Sequence, residues 1–228
     1  MHFRLPKPLH GWREFAGEVG IIVVGVLIAL AAEQLVEEIH WEAETKAARN
    51  ALLSEARDNL DAANFRAMQQ PCVERRLDEI ATLFRAHSAG RHVVLAGSIG
   101  RPIYYGGSRD AWAVAVSSQA VAHMSLQERL DFGGAFSNYE NMDEVQKREQ
   151  DAWLKLNVLN DPEVLGEGDW PNLHQAYAEG RSLSSRMQLI TNYVLSQEAL
   201  GQRVGRPPNV PGIEAAERGF CGPIIPRP

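Results

Sequence analysis

The chain has 228 residues, 45% of them hydrophobic and 23% charged, and a formal net charge of −6. These are globular values that argue against wholesale disorder, and an anchor subtracted from the length leaves roughly 185 residues, enough for one domain with its own core. The acidic balance, with no cluster of Lys and Arg, argues against a nucleic-acid partner.

Residues 1–11 carry Pro6 and Pro8 and read as a short irregular tail. The stretch from Gly11 to Trp41 follows, and within it Val19 to Ala32 holds no charged or polar side chain. Its apolar part, about 22 residues, spans roughly 33 Å as a helix, against a hydrocarbon core of ~30 Å. Trp12 and Trp41 bracket it as interface anchors, about 43 Å apart on the same rise. The pattern predicts a single transmembrane helix over 12–41 with the lipid bilayer as its first partner. Ala29-Leu30-Ala31 resembles a signal-peptidase site, but helix formers run through it and no Gly or Pro lies between Ala29 and Phe65. An uncleaved anchor is therefore expected. Arg4, Lys7 and Arg13 before the apolar core, against Lys46 and Arg49 after it, favour an N-terminus in the cytoplasm and the rest of the chain outside. Glu18, Ile22, Gly25, Ala29 and Ala32 fall along one helix face, a small-residue surface on which another transmembrane helix could pack. The plainer reading is that Gly and Ala are common in such helices.

Beyond the membrane the helix is expected to continue to about Gln69, where Pro71 ends it, with Leu35, Ile39, Ala43, Leu53, Ala56, Leu60 and Ala63 as a loose apolar stripe. That continuity would make a rigid stalk. Cys72 opens a second helix to about His87, with Val73, Leu77, Ile80 and Phe84 on one face. Gly90 to Gly107, rich in Gly and β-prone residues, predicts a long loop with room for a short hairpin. After Ser108 a helix over about 109–122 is apolar nearly all round, which predicts the buried central helix. Ser125 and Glu128 form a capping box for a helix reaching Leu159, with a weak point at Gly133-Gly134. Trp170-Pro171 starts a last helix to about Arg203, and residues 205–228 form an extended, Pro-rich tail. The fold class is mainly α: one transmembrane helix continuing into a helical bundle over 42–204.

Cys72 and Cys221 both lie on the exported side of this topology, where a minimal even set reads as one disulfide tying the tail to the elbow between the first two helices. Two unrelated thiols are the alternative. No cofactor or metal set emerges. The seven histidines make no H-E-x-x-H, and the pair His87 and His92 is a weak metal signal. Ala96-Gly97-Ser98-Ile99-Gly100 misses the nucleophile elbow at its first position. Glu128, Glu140, Glu144 and Glu149 lack the E-x-x-H of a di-iron site and read as a solvated acidic face.

Trp12-Arg13-Glu14-Phe15, Gly17-Glu18, Ile22 and Gly25 to Leu30 resemble the anchor of an uncharacterised family of bacterial single-pass membrane proteins. Cys72 to Glu79, read CVERRLDE, and the closing Cys221-Gly222-Pro223 are similar to that family as well. The resemblance implies a bacterial inner-membrane protein with a periplasmic helical domain, and brings no activity with it. The expected function is non-catalytic: an accessory or scaffold subunit of an inner-membrane complex, with other transmembrane helices, or a second copy, as partners. A periplasmic ligand-binding or sensory module is the alternative, and an enzyme of unknown type is a distant third.

Overall fold

The computed structural model describes residues 11–196 and 213–225. Its helices are α1 Gly11–Met68, α2 Gln70–Ser88, α3 Asp110–Ser117, α4 Leu126–Leu156, α5 Trp170–Ser196 and α6 Ile213–Cys221, with short 3-10 turns between Ala120 and Asp169. No strand occurs among the described residues, so Gly90 to Gly107 is a loop without the hairpin its β-prone residues allowed. The chain divides into two compact units, the first ending at Ala47 and the second beginning at Ala48.

In the first unit every described residue from Gly11 to His40 is exposed. Among the described residues one helical stretch is long and apolar enough to cross a membrane, with a mean hydropathy of 2.4 over its best 18 residues and none of that window buried. The segment is compatible with a single-pass anchor.

The second unit is a helical bundle. α1 passes into α2 at Gln69, whose backbone is still helical, because Pro71 sits in the first turn of α2 where a missing N–H costs nothing. α2 therefore begins at Gln70, two residues before the expected start. α1 and α4 run in the same direction, since Arg49 meets Glu128 and, further along both, Arg66 meets Glu149. α4 and α5 are antiparallel, with Arg186 against Asn141 and Lys155 against Glu179. Gly180 of α5 faces Ala152 and Leu156 of α4, where a Cβ would sit in ordinary contact at 3.8 Å.

Two apolar clusters make the core. One joins Leu52, Ala56 and Leu60 of α1 to Phe132, Phe136 and Met142 of α4 and Leu183 and Met187 of α5. The other joins Val73, Leu77 and Ile80 of α2 to Trp153 and Leu156 of α4, Leu173 of α5, and Phe220 and Ile224 near the C-terminus. A polar layer joins side chains of all four long helices of this unit near the junction of the two clusters. Arg66 and Glu149 form a bidentate pair (Nη2–Oε1 2.6 Å, Nε–Oε2 3.1 Å) with side chains 1% and 0% exposed. Arg66 Nη1 also donates to Gln70 Oε1 at 3.1 Å, and Gln70 Nε2 donates to Ser184 Oγ at 3.2 Å.

Several expectations are corrected. Glu149 is not part of a solvated acidic face; it is the buried partner of Arg66. α3 is not the buried central helix: it stops at Ser117, Val114 and Val116 are exposed, and only Ala115 is fully buried. The interior positions belong to α4, which runs unbroken through Gly133-Gly134, where Trp112 lies 3.6 Å from the place of a Gly133 Cβ. α4 ends at Leu156, short of Leu159. The tail is not wholly extended, since α6 occupies its middle; positions 205–212 and 226–228, like the expected end of α5 at Arg203, lie outside the described residues.

The capping box at the start of α4 forms as expected, with Ser125 Oγ accepting from Glu128 N and Glu128 Oε2 accepting from Ser125 N. Arg49 Nε donates to the same carboxylate at 2.7 Å. The Arg49 hydrogen bond and then the Ser125 bonds lower the Glu128 pKa from 4.5 to about 2. A carboxylate depressed on folding contributes stability above pH 4.5 that disappears as the pH falls toward 2. Melting temperature followed across that window should therefore fall less steeply in Glu128→Gln than in the parent chain. The Arg66–Glu149 pair yields a sharper expectation. Glu149→Leu alone, which strands a buried guanidinium, should cost ~3–5 kcal/mol in denaturant titrations, whereas Arg66→Met with Glu149→Leu should be close to neutral or stabilising.

Candidate functional site

At 100° per residue, Glu18, Ile22, Gly25, Ala29 and Ala32 fall within about 40° of one line along α1. The structure leaves that face open: Ile22 is 65% exposed, and a Cβ at Gly25 would meet nothing within 4 Å. Trp12 is exposed and packs against Phe15, their ring centroids 5.9 Å apart. At the other end Trp41 Nε1 donates to Glu37 Oε1 at 3.4 Å. Both indoles thus combine an apolar body with a polar edge, the chemistry of a membrane interface.

Cys72 and Cys221 are joined in a disulfide across 149 residues of sequence. Around the bond, α2 grips the C-terminal segment. Arg76 is 1% exposed and donates through Nη2 to the carbonyls of Phe220 (2.6 Å) and Gly222 (2.7 Å), and through Nη1 to those of Ser98 and Ile99. Its Nε lies 3.2 Å from Glu79 Oε2, close enough for charge attraction though outside good hydrogen-bond alignment. Burial lowers the Arg76 pKa, and the Glu79 charge opposes that shift. Glu79 Oε1 accepts from Ile224 N at 3.0 Å.

The loop between α2 and α3 is held by side chains in place of a neighbouring strand. Asn160 Oδ1 accepts from Ile99 N at 2.7 Å. Gln69 exchanges both bonds with Ile103, accepting its N–H at 2.7 Å and donating to its carbonyl at 3.2 Å. Asn59 does the same with Ser108, at 2.7 Å in each direction. Ten helical residues from Asn59 to Gln69 cover ~15 Å and five extended residues from Ile103 to Ser108 cover ~17 Å, so the loop runs antiparallel to α1 in register. Gln150 Nε2 donates to Pro102 O, and Tyr104 Oη to Asp143. Desolvation and then the Asp143 bond raise the Tyr104 pKa to about 12. Glu55 of α1 accepts from Ser108 Oγ, Ala111 N and Trp112 N, capping α3 from outside.

One polar cleft of about 230 Å³ opens between α2 and α5, lined by Gln70, Glu74, Leu77, Asp78, Arg181, Ser184 and Ser185. Its floor, Gln70 and Ser184, is where the buried Arg66–Glu149 layer meets the surface. Arg181 and Asp78 stand 4.0 Å apart at the rim, and both are exposed. The arrangement offers hydrogen-bonding groups of both kinds but no nucleophile beside a base. Ser98 Oγ is 3.3 Å from Asn160 Oδ1, an amide that cannot take its proton. His87 stacks on Trp170, centroids 3.5 Å apart, and among the described residues no three His, Cys, Asp or Glu side chains gather as metal ligands.

Of the residues singled out from sequence, the two cysteines are brought together, and Glu18, Ile22, Gly25, Ala29 and Ala32 share one face of α1. Arg66, Glu149 and Arg76 were missed. The signal was present: each is a charged residue inside an apolar stripe, Arg76 between Val73 and Ile80, Glu149 between Val145 and Trp153. A charge on a buried stripe needs a partner. Comparison of the chain with models of protein families, with curated proteins and with solved structures finds no match.

The amide pairing of the loop predicts a local effect. Gln69→Leu leaves the Ile103 N–H without its partner, at ~1–3 kcal/mol if that group stays buried, and leaves the Ile103 carbonyl with only the longer bond from Gln146 Nε2 at 3.5 Å. Amide exchange should rise at Ile103 and its neighbours by at least tenfold, with α4 and α5 little changed.

Proposed function

We propose that the protein is a non-catalytic, membrane-anchored interaction protein, an accessory or scaffold subunit of a bacterial inner-membrane complex, with its second unit in the periplasm. The observation behind this reading is the small-residue face of the apolar helix, with Gly25, Ala29 and Ala32 in line with Glu18 and Ile22. In lipid, helices associate through close backbone approach at small residues and not through hydrophobic burial, so such a face has a use only if another helix meets it. A glutamate near the end of the span usually faces protein or reaches for water, and Glu18 fits either. The buried side chains of Asn59, Gln69, Arg76 and Gln150 are engaged in holding the second unit's own backbone, which favours a structural role for them.

Gly25→Leu with Ala29→Leu tests the reading. The pair should insert and express as the parent does, because leucine is the more apolar residue, yet lose at least half of the partner helices or self-association recovered in mild detergent. Ile21→Leu, off the face, is the control. Undiminished recovery with the double variant would reduce α1 to a tether. A second reading, a ligand-binding module, rests on the polar cleft between α2 and α5. It would be favoured if the chain purified alone and small polar solutes raised its melting temperature, an effect absent in Ser184→Leu.

A further inference from the structure

The C-terminal segment from Phe220 to Ile225, the strap, does not hang from its disulfide. Three consecutive carbonyls, those of Phe220, Cys221 and Gly222, are each taken by an arginine of α2: Arg76 takes the first and third, and Arg75 Nη1 takes the second at 2.7 Å. Two residues on, Ile224 gives its N–H to Glu79 Oε1 and its carbonyl to Ala96 N at 2.8 Å. Phe220 and Ile224 are 5% and 1% exposed. Phe220 meets Trp153 edge to face at 5.6 Å, with the Arg76 guanidinium over its ring at 5.3 Å. Gly97 and Gly100, the latter at φ +62, bring the loop against Ile224 and Phe220 on the other side. The buried Arg76 needs the strap as much as the strap needs Arg76, since two of its four carbonyl acceptors come from it. Cys72 and Arg76 lie one turn apart on α2, as do Arg75 and Glu79, so one patch of helix carries the sulfur and the groups that place its partner.

We propose that the strap docks on α2 without its disulfide, and that the bond closes last, on a preassembled seat. The chemistry is thiol–disulfide exchange with an oxidant that itself carries a disulfide. A thiolate of the pair attacks that disulfide and forms a mixed disulfide, releasing one thiol of the oxidant. The second cysteine then displaces the other, so the protein loses two electrons and two protons and the oxidant becomes its dithiol form. Cys72 and Cys221 are each part-exposed, which leaves the bond open to such a partner. Arg76 is a positioning residue in this step, acting by holding the residues on either side of Cys221.

The test uses the full-length protein in detergent. After reduction, and in Cys72→Ser with Cys221→Ser, the Ile224 amide should keep its hydrogen-exchange protection to within about threefold of the oxidised protein. Exchange at the rate of a free peptide would overturn the proposal. The second readout is the intramolecular closure rate of reduced protein with glutathione disulfide. Arg76→Met, with α4 and α5 exchange checked as unchanged, should close at least tenfold more slowly, as should the parent chain in urea. Glu79→Gln, a milder change at the same seat, should slow closure by a smaller factor. Equal rates for the parent, Glu79→Gln and the urea-unfolded chain would show that the seat does nothing for the bond.

Discussion

Where a length of backbone is buried across helices, with no strand beside it and no water reaching it, its N–H and C=O groups must find partners among side chains. The loop from Gly90 to Gly107 faces that constraint over several turns of α1 and α2. Gln69 and Asn59 meet it by presenting amides that mimic a strand edge, one N–H and one C=O each, at a spacing on α1 that matches the extended chain. Arg76, Asn160 and Gln150 serve the rest. The order of the loop then fixes where α3 begins, because Ser108 is both the end of the loop and the neighbour of Glu55, which caps α3. Much of the interior polarity of the bundle exists to hold this one connection.

The same economy explains why Arg66 and Glu149 are buried. An ion pair in the interior is a poor source of stability compared with apolar packing, and its value lies in register. Here it sits where two apolar clusters meet and joins α1 to α4, with Gln70 and Ser184 drawing α2 and α5 to the same point. A helix slid by one turn would leave a charge in hydrocarbon. That is a strong demand for one alignment of four helices whose apolar stripes alone would accept several.

What could be read from the sequence divides along a physical line. Local signals survived: the capping box at Ser125 and Glu128 depends on residues three apart, and the joint at Pro71 on a single missing N–H. The apolar length of α1 needed no tertiary context either. The cysteine pairing was legible because two cysteines offer one intramolecular bond. Long-range partners were not. Glu149 has the spacing of a surface acid relative to Glu144 and Glu140, and only its place between Val145 and Trp153 betrays burial. α3 misled for the opposite reason, since Ala and Val all round its short length suggested the interior, yet α4 already filled that position. The helix α6 lies after a Pro-rich stretch whose composition masked the Glu-Ala-Ala-Glu run that forms it. For the α1 face, sequence and structure supply the same fact, an alignment of Gly25, Ala29 and Ala32 with Glu18 and Ile22 along one side of a helix.

The second apolar cluster has a consequence for how the chain comes into being. It is assembled from residues as early as Val73 and as late as Ile224. In a polypeptide made from its N-terminus, Val73, Leu77 and Ile80 wait for Trp153, Leu156 and Leu173 and then for the strap, and Arg76 lacks two of its carbonyl acceptors until the strap arrives. The cluster closes in stages, with α4 and α5 covering α2 before Phe220 and Ile224 complete it. A chain cut before Phe220 would leave the part of α2 under the strap, and the Arg76 guanidinium, open to any chaperone or protease that surveys exposed apolar surface.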